Sequence, residues 1–265
     1  MRKTRIALLT LACVAAAGRA QQPAPARPAA PPAPAALDPG RNALDAYLLR
    51  WEEAMKKVDT LALKCTRTET DPIYKTKHTY EGTIHFMRPN FFFWNMQDKT
   101  RPAAFERFIC TGVKLYQFLP RERLIKVYPA PQVKPGGGLA DDSSIAFLFG
   151  MKAAEARARY DLSLHKTDKD YVYVDVIPKK AVDKADFTKA RIVLNKDTYL
   201  PRMLWFEHPN QGEVLWDIPT IQANSPIPRT AFGTPATPKG WKMVDGRASA
   251  QRGTGEQPKL YRPKN

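Results

Sequence analysis

Histidine and cysteine offer the widest chemistry among the side chains of this sequence, but their spacing matches no catalytic or metal-binding pattern. His78 and His85 are seven residues apart in a strand-like region, so we expect them on opposite faces of that strand. His165 and His208 are isolated. The chain has no Gly-x-Ser-x-Gly motif, no Walker loop and no His-Glu-x-x-His motif. We therefore expect a protein that is not an enzyme and that has no cofactor or metal site.

The three cysteines are too few for a disulfide scaffold and are not spaced as a paired Cys-x-x-Cys zinc site. Cys13 lies in an apolar stretch near the N-terminus, whereas Cys65 and Cys110 lie in strand-like segments. Two alternatives are open for the second pair. In an oxidising compartment these residues can form a disulfide with each other, or they can remain buried free thiols.

A run of aromatic and sulfur-containing side chains, Phe91–Met96, indicates a different chemistry, the binding of an apolar ligand. Only Asn95 interrupts the run, so the strand is apolar on both faces, and segment 202–208 shows the same pattern. Helices can cover one face of such a sheet, and the sheet can cover the other by curling round on itself. Large aromatic residues lining it would form a cavity for an apolar ligand, or they would fill the core completely.

The elements that position these residues are an N-terminal helix, antiparallel strands, a helical interruption and further antiparallel strands. An apolar stripe at the helical period predicts a helix over 42–58, and N-capping residues followed by helix formers predict a helical segment over 143–159. Alternation predicts strands at 61–66, 80–87, 91–96, 105–110, 113–119, 124–128, 160–166, 171–177, 189–195, 202–208 and 213–219. The pattern indicates an α+β protein with a curved antiparallel sheet.

The first twenty residues have the order of a secretory signal peptide. Residues 1–5 are cationic, residues 6–17 are apolar, and residues 18–20 supply small side chains at the −3 and −1 positions of a cleavage site. We therefore expect a periplasmic or otherwise exported protein. Lipidation of Cys13 is not expected, because Thr10 stands where lipidation sites carry a large aliphatic residue.

Composition separates the folded domain from its flanks. Of the 265 residues, 43% are hydrophobic, which excludes wholesale disorder. Residues 21–40 are rich in Pro and Ala and predict a disordered linker, and residues 246–265 predict a disordered basic tail. The folded domain is therefore assigned to 41–245. Loss of the predicted signal peptide, which contains four cationic residues, lowers the formal net charge from +16 to +12, and this charge favours contact with an anionic surface of the cell envelope.

Two segments carry a resemblance to a known family. Residues 82–96, GTIHFMRPNFFFWNM, contain a glycine, alternating apolar residues, an Arg-Pro-Asn triplet and an aromatic run. Residues 108–116, FICTGVKLY, contain a strand, a glycine turn, a cation and a Leu-Tyr pair. From Trp51 onward, the order of these landmarks resembles the LolA family, the soluble periplasmic carriers of outer-membrane lipoproteins, or an uncharacterised exported bacterial family of the same fold.

The resemblance implies an unclosed half-barrel of the LolA/LolB type with a helical lid, which holds acyl chains in a hydrophobic cavity. It gives Arg88 the role of a latch that hydrogen-bonds the lid backbone and keeps the empty form closed. The alternative is a strand-end arginine in solvent. The predicted cavity-lining residues are Trp51, Met55, Ile84, Phe86, Phe92, Trp94, Met96, Leu115, Phe147 and Phe149.

The expected function is that of an exported lipid- or lipoprotein-binding protein that carries acyl chains across the cell envelope. Such a carrier would also dock on a protein of the inner or outer membrane. The alternative is a non-transporting envelope sensor, or a structural module of the same fold that binds an anionic surface. Because the protein is expected to be exported, nucleic acid is not an expected partner.

Overall fold

The computed structural model describes residues 37–130, 147 and 151–246. The predicted signal peptide 1–20, most of the predicted linker 21–40 and the predicted tail from 247 onward lie outside these residues. Phe149 and most of the first half of the predicted helical segment over 143–159 also lie outside them.

The described elements follow the predicted order of one helix, six strands, a helix and five strands, with one further strand at the end. They are α1 Ala43–Lys56, β1 Thr60–Asp71, β2 Thr76–Met87, β3 Phe91–Asp98, β4 Phe105–Thr111, β5 Lys114–Leu119, β6 Leu124–Pro129, α2 Ala153–Arg159, β7 Tyr160–Thr167, β8 Tyr171–Pro178, α3 Ala181–Lys184, β9 Lys189–Asn195, β10 Pro201–Glu207, β11 Glu213–Ala223, a 3-10 turn Arg229–Phe232 and β12 Lys242–Asp245.

All twelve of these strands belong to one sheet with the order β12-β6-β5-β4-β3-β2-β1-β11-β10-β9-β8-β7. Neighbouring strands are antiparallel, except that β12 pairs with β6 in parallel. The two ends of this order, β12 and β7, do not pair with each other, so the sheet is open. The predicted fold class, an unclosed antiparallel sheet with few helices, is confirmed.

The helix α1 forms within the predicted range because its N-cap and its apolar stripe coincide. Asn42 accepts a hydrogen bond from the backbone N–H of Leu44 at 3.0 Å, which satisfies one unpaired donor of the first turn. Leu48, Trp51 and Met55 then recur on one side of the helix and are buried against the sheet. We call this face of the sheet the inner face, and its contiguous buried side chains, together with those of α1 and Phe147, the inner cluster.

The opposite, outer face of the sheet carries a second apolar cluster over β4, β5 and β6. The outer cluster consists of the buried residues Ile109, Tyr116, Phe118 and Ile125, with Phe93, Phe105, Val127 and Trp241 packed against them. Trp241 stacks on Phe105 with ring centroids 6.2 Å apart. The C-terminal segment of the domain therefore covers the outer cluster. The sequence had instead predicted that the sheet would cover its second face by curling over itself.

Candidate functional site

The inner cluster gathers the predicted cavity-lining residues. Trp51, Met55, Ile84, Phe92, Trp94, Met96, Leu115 and Phe147 are all buried members of it, and Phe86 is partly buried and packs against it. Phe149 lies outside the described residues. The described members of the predicted set thus belong to one buried cluster. That this cluster binds a ligand stays a prediction.

Strand register brings the central aromatic residues together. Ile84 of β2 pairs with Trp94 of β3, and Trp94 pairs with Phe108 of β4. Sequence reasoning did not single out Trp216 of β11, whose ring meets Trp94 edge to face with centroids 5.3 Å apart. The available signal was the alternation Val214, Trp216 and Ile218, which marks the buried face of β11.

Two indole N–H groups in the inner cluster lack acceptors among the described residues. Trp51 and Trp94 are 1% and 0% exposed, and the Nε1 atom of each has no hydrogen-bond acceptor in the described part of the chain. An indole N–H can only donate, and buried ones usually find a partner. Leaving such a donor unpaired costs about 1–3 kcal/mol. Within the described residues, these two groups are donors without an acceptor.

A buried ion-pair network lies at the end of this apolar surface on β1. Arg67 is fully buried and donates to both carboxylate oxygens of Glu106, at 2.7 and 2.8 Å, while its Nε lies 2.9 Å from Glu69 Oε1. Its guanidinium also stacks on Tyr80, 4.4 Å from the ring centroid. Burial, and next the charge of Glu69, raises the pKa of Tyr80, which keeps the phenol neutral.

Sequence reasoning missed Arg67 as a member of the inner face. The residue continues the alternation of Leu61, Leu63 and Cys65, all of them buried, and that alternation was the signal for its orientation. The two carboxylates that surround Arg67 compensate its charge. The polar network therefore terminates the apolar surface, and Arg67 offers no uncompensated charge to an anionic headgroup.

Arg88 binds backbone carbonyls that, within the described residues, belong to α1 and the residues that follow it. Its Nε donates to the carbonyl of Val58 at 2.6 Å, and its Nη2 donates to the carbonyl of Met55 at 3.1 Å. Carbonyls at a helix C-terminus lack intrahelical partners, so a cation placed there satisfies them. Within the described residues, Arg88 thus fixes the end of α1 to the turn between β2 and β3. A latch to the lid segment stays a prediction.

Cys65 and Cys110 are both buried and free. Cys65 lies on β1 and Cys110 on β4, and β2 and β3 lie between these two strands. The two cysteines are therefore separated by three interstrand spacings, or roughly 14 Å. A disulfide requires Cα atoms no more than about 7 Å apart, and the structure therefore favours the free-thiol alternative over the disulfide. Cys65 Sγ lies 3.6 Å from Met96 Sδ, and burial raises the pKa of the Cys65 thiol to about 12.

Two grooves are lined entirely by described residues, and Tyr128, which lines the first, also packs against the inner cluster. One, of about 480 Å³, lies between β5, β6 and β12 and is lined by Tyr116, Tyr128 and Met243, among others. The other, of about 270 Å³, lies on the outer face around Trp205 and Arg191. In the described part of the chain, no group of His, Cys, Asp or Glu is arranged to hold a metal ion, and no helix is long and apolar enough to cross a membrane.

No protein-family model and no curated protein matches the chain. Solved structures with a similar fold include an uncharacterized conserved protein from Thermus thermophilus, with 9% identity, coverage of 77% of this chain and 99% of that chain, and a TM-score of 0.47. The LolA superfamily protein NE2245 from Nitrosomonas europaea is 11% identical, with coverages of 71% and 96% and a TM-score of 0.34. LprF from Mycobacterium bovis is 13% identical, with coverages of 69% and 94% and a TM-score of 0.40.

At such identities and TM-scores the similarity concerns the fold, and it carries no activity over to this chain.

Proposed function

We propose that this chain is an exported lipid-binding protein whose inner cluster opens to hold an acyl chain. The observation that carries the proposal is the pair of buried indole donors, Trp51 and Trp94, which have no acceptor among the described residues. An acyl chain would occupy the apolar surface around them. The carbonyl at its head would accept a hydrogen bond from an indole N–H that is otherwise unpaired.

The chemistry of the site favours an acyl ester or amide over a free fatty acid. A free carboxylate inside an apolar cluster needs a cation, because burying an unpaired charge is very unfavourable. Arg67 is a buried cation on the inner face, and Glu106 and Glu69 already bind it. An ester or amide carbonyl needs only a donor, which Trp94 supplies. Phospholipids and lipidated proteins both contain such groups.

The predicted signal peptide supports an envelope location for this binding. Transfer of the bound lipid or lipoprotein between membranes is the carrier form of the proposal, as the sequence resemblance implies. A sensor that binds the same ligand without transporting it would use the same inner cluster. A module whose inner cluster never opens would bind no acyl chain at all.

The substitution Trp94→Phe tests the proposed donor. It keeps an aromatic ring in the cluster but removes the indole N–H together with part of the ring, and loss of the hydrogen bond alone should lower the affinity for a pyrene-labelled phosphatidylcholine about 2- to 12-fold. The matched control is Trp205→Phe, which alters a half-buried tryptophan on the outer face and should leave the affinity unchanged.

A second ligand makes the test specific to the carbonyl. Hexadecane has an acyl-like chain and no oxygen, so its change in affinity reports the loss of ring volume alone, and Trp94→Phe should weaken phospholipid binding more than hexadecane binding. Equal binding of the labelled phospholipid by both proteins would remove the hydrogen bond from the proposal. Failure of the wild-type protein to bind either ligand would remove the acyl site itself.

A further inference from the structure

The turn between β1 and β2 presents two large apolar side chains to solvent. Ile73 is 66% exposed and Tyr74 is 76% exposed. The carboxylate of Asp71 accepts hydrogen bonds from the backbone N–H groups of both, at 2.9 and 3.1 Å. The turn is thus ordered by its own aspartate, and the apolar side chains are held outward without any cover among the described residues.

The hairpin extends beyond the neighbouring strand on one side. The last pair between β2 and β3 joins Tyr80 to Asp98, and β2 continues for the four residues Thr76–Thr79 beyond it. At about 3.3 Å per residue, this extension amounts to roughly 13 Å. On the other side, β1 is paired with β11 up to Thr70, and the loop after β3 contacts Thr79 and His78, so Ile73 and Tyr74 stand in the turn just beyond these contacts.

Exposed lysines accompany the exposed apolar residues. Lys75 and Lys77 are exposed, and neither forms an ion pair with another described residue. The short helix α3 repeats the combination, because Val182 is 71% exposed and lies between the exposed residues Lys180 and Lys184.

The two exposed groups lie at the same end of the sheet. Thr70 of β1 pairs with Glu213 of β11, and Glu207 of β10 pairs with Lys189 of β9, the strand that follows α3. The β1–β2 turn and α3 are therefore separated by the width of four strand spacings, roughly 19 Å along the sheet. We call residues 72–77 and 180–184 together the docking rim.

We propose that the docking rim binds the surface of an anionic lipid bilayer. Isoleucine, valine and tyrosine side chains enter the interfacial region of a bilayer favourably, and tyrosine is enriched there. Lysines beside them are attracted to anionic headgroups. The exposed apolar residues of the β1–β2 turn and of α3 lie on separate elements, and a continuous planar surface can contact both at once. Without the predicted signal peptide the net charge is still +12, which strengthens the attraction to such a surface at long range.

Vesicle flotation with the full chain tests this proposal. The protein should float with vesicles made of equal parts of phosphatidylcholine and phosphatidylglycerol, and float less with phosphatidylcholine alone. The double variant Ile73→Ser/Tyr74→Ser should lose about ten-fold or more of its partitioning into the mixed vesicles, because two apolar side chains no longer enter the bilayer. Lys75→Glu/Lys77→Glu should weaken binding to the mixed vesicles only.

The matched control is Val113→Ser, which removes an equally exposed apolar residue from the β4–β5 turn at the opposite end of the sheet and should leave flotation unchanged. The double serine variant should melt like the wild type and still bind the labelled phospholipid, which separates this proposal from the acyl site. Two results would overturn the proposed membrane contact: flotation of the wild type with neither kind of vesicle, or equal flotation of the double serine variant and the wild type.

Discussion

Arg88 donates two hydrogen bonds to carbonyls at the end of α1, from the turn that joins β2 to β3. The residue thereby couples the helix that covers the inner cluster to the strands that form it. In the proposed opening of that cluster, α1 would move relative to the sheet, and the contacts of Arg88 would then stabilise the closed arrangement at the expense of the open one.

Arg88→Leu should lower the free energy of unfolding by about 1–2 kcal/mol, since two carbonyls at the helix end lose a charged donor. The same change should increase the amount of acyl lipid that the protein retains, or slow its release, because the closed form loses more stabilising hydrogen bonds than the open form does. Urea denaturation and a lipid-release assay measure the two effects. Arg121→Leu, in the exposed β5–β6 turn, is the control. Unchanged stability together with unchanged release would contradict this role.

Alternation in the sequence predicted which residues are buried better than it predicted which other residues they contact. The face occupied by Trp51, Ile84 and Trp94 followed from the period of their elements. The carbonyls that Arg88 binds depend on how α1 crosses the sheet, which no local pattern encodes. Likewise, the separation of Cys65 from Cys110 depends on β2 and β3 lying between β1 and β4.

The strands and the first helix were predictable because each has a local period of 2.0 or 3.6 residues. β12 was not predicted. It has only four residues, Lys242–Asp245, and exists through parallel pairing with β6, more than a hundred positions earlier in the chain. The covering of the outer face by the C-terminal segment was missed for the same reason, since it rests on non-local contacts of Trp241 and Phe232.

The C-terminal segment should stabilise the sheet even though it contributes only one short strand. Phe232 is 1% exposed and its ring lies 5.8 Å from that of Phe91, so Phe232→Ala should lower the free energy of unfolding by about 3–5 kcal/mol. Tyr74→Ala, at a 76% exposed aromatic residue, should change it by less than about 0.5 kcal/mol. Urea denaturation measures both. Equal and small effects would show that the segment lies on the sheet without stabilising it.

At the scale of the whole molecule, one open sheet separates two apolar regions with different covers. The outer cluster is covered by the C-terminal segment, which contacts it through stacked aromatic rings. The inner cluster spans strands from both ends of the chain and is covered by α1, with two indole donors inside it that have no acceptor among the described residues. The difference explains why we assign ligand binding to the inner face.

The distribution of the five tryptophans allows a direct test of that assignment. Trp51, Trp94 and Trp216 belong to the inner cluster, whereas Trp205 and Trp241 lie on the outer face. Bromine atoms quench tryptophan emission at short range. A phosphatidylcholine brominated on its acyl chains therefore reports which face the chain enters.

The measurement is the quenching of tryptophan emission by this lipid in two complementary variants. Trp205→Phe/Trp241→Phe keeps only the inner tryptophans, and we expect its emission to be quenched to a saturating level. Trp51→Phe/Trp94→Phe/Trp216→Phe keeps only the outer ones; because it lacks both proposed donors, its binding of the labelled phosphatidylcholine is measured first, and at a lipid concentration that saturates binding its emission should stay unquenched. Quenching confined to the outer tryptophans, or absent from both variants, would contradict an acyl chain held in the inner cluster.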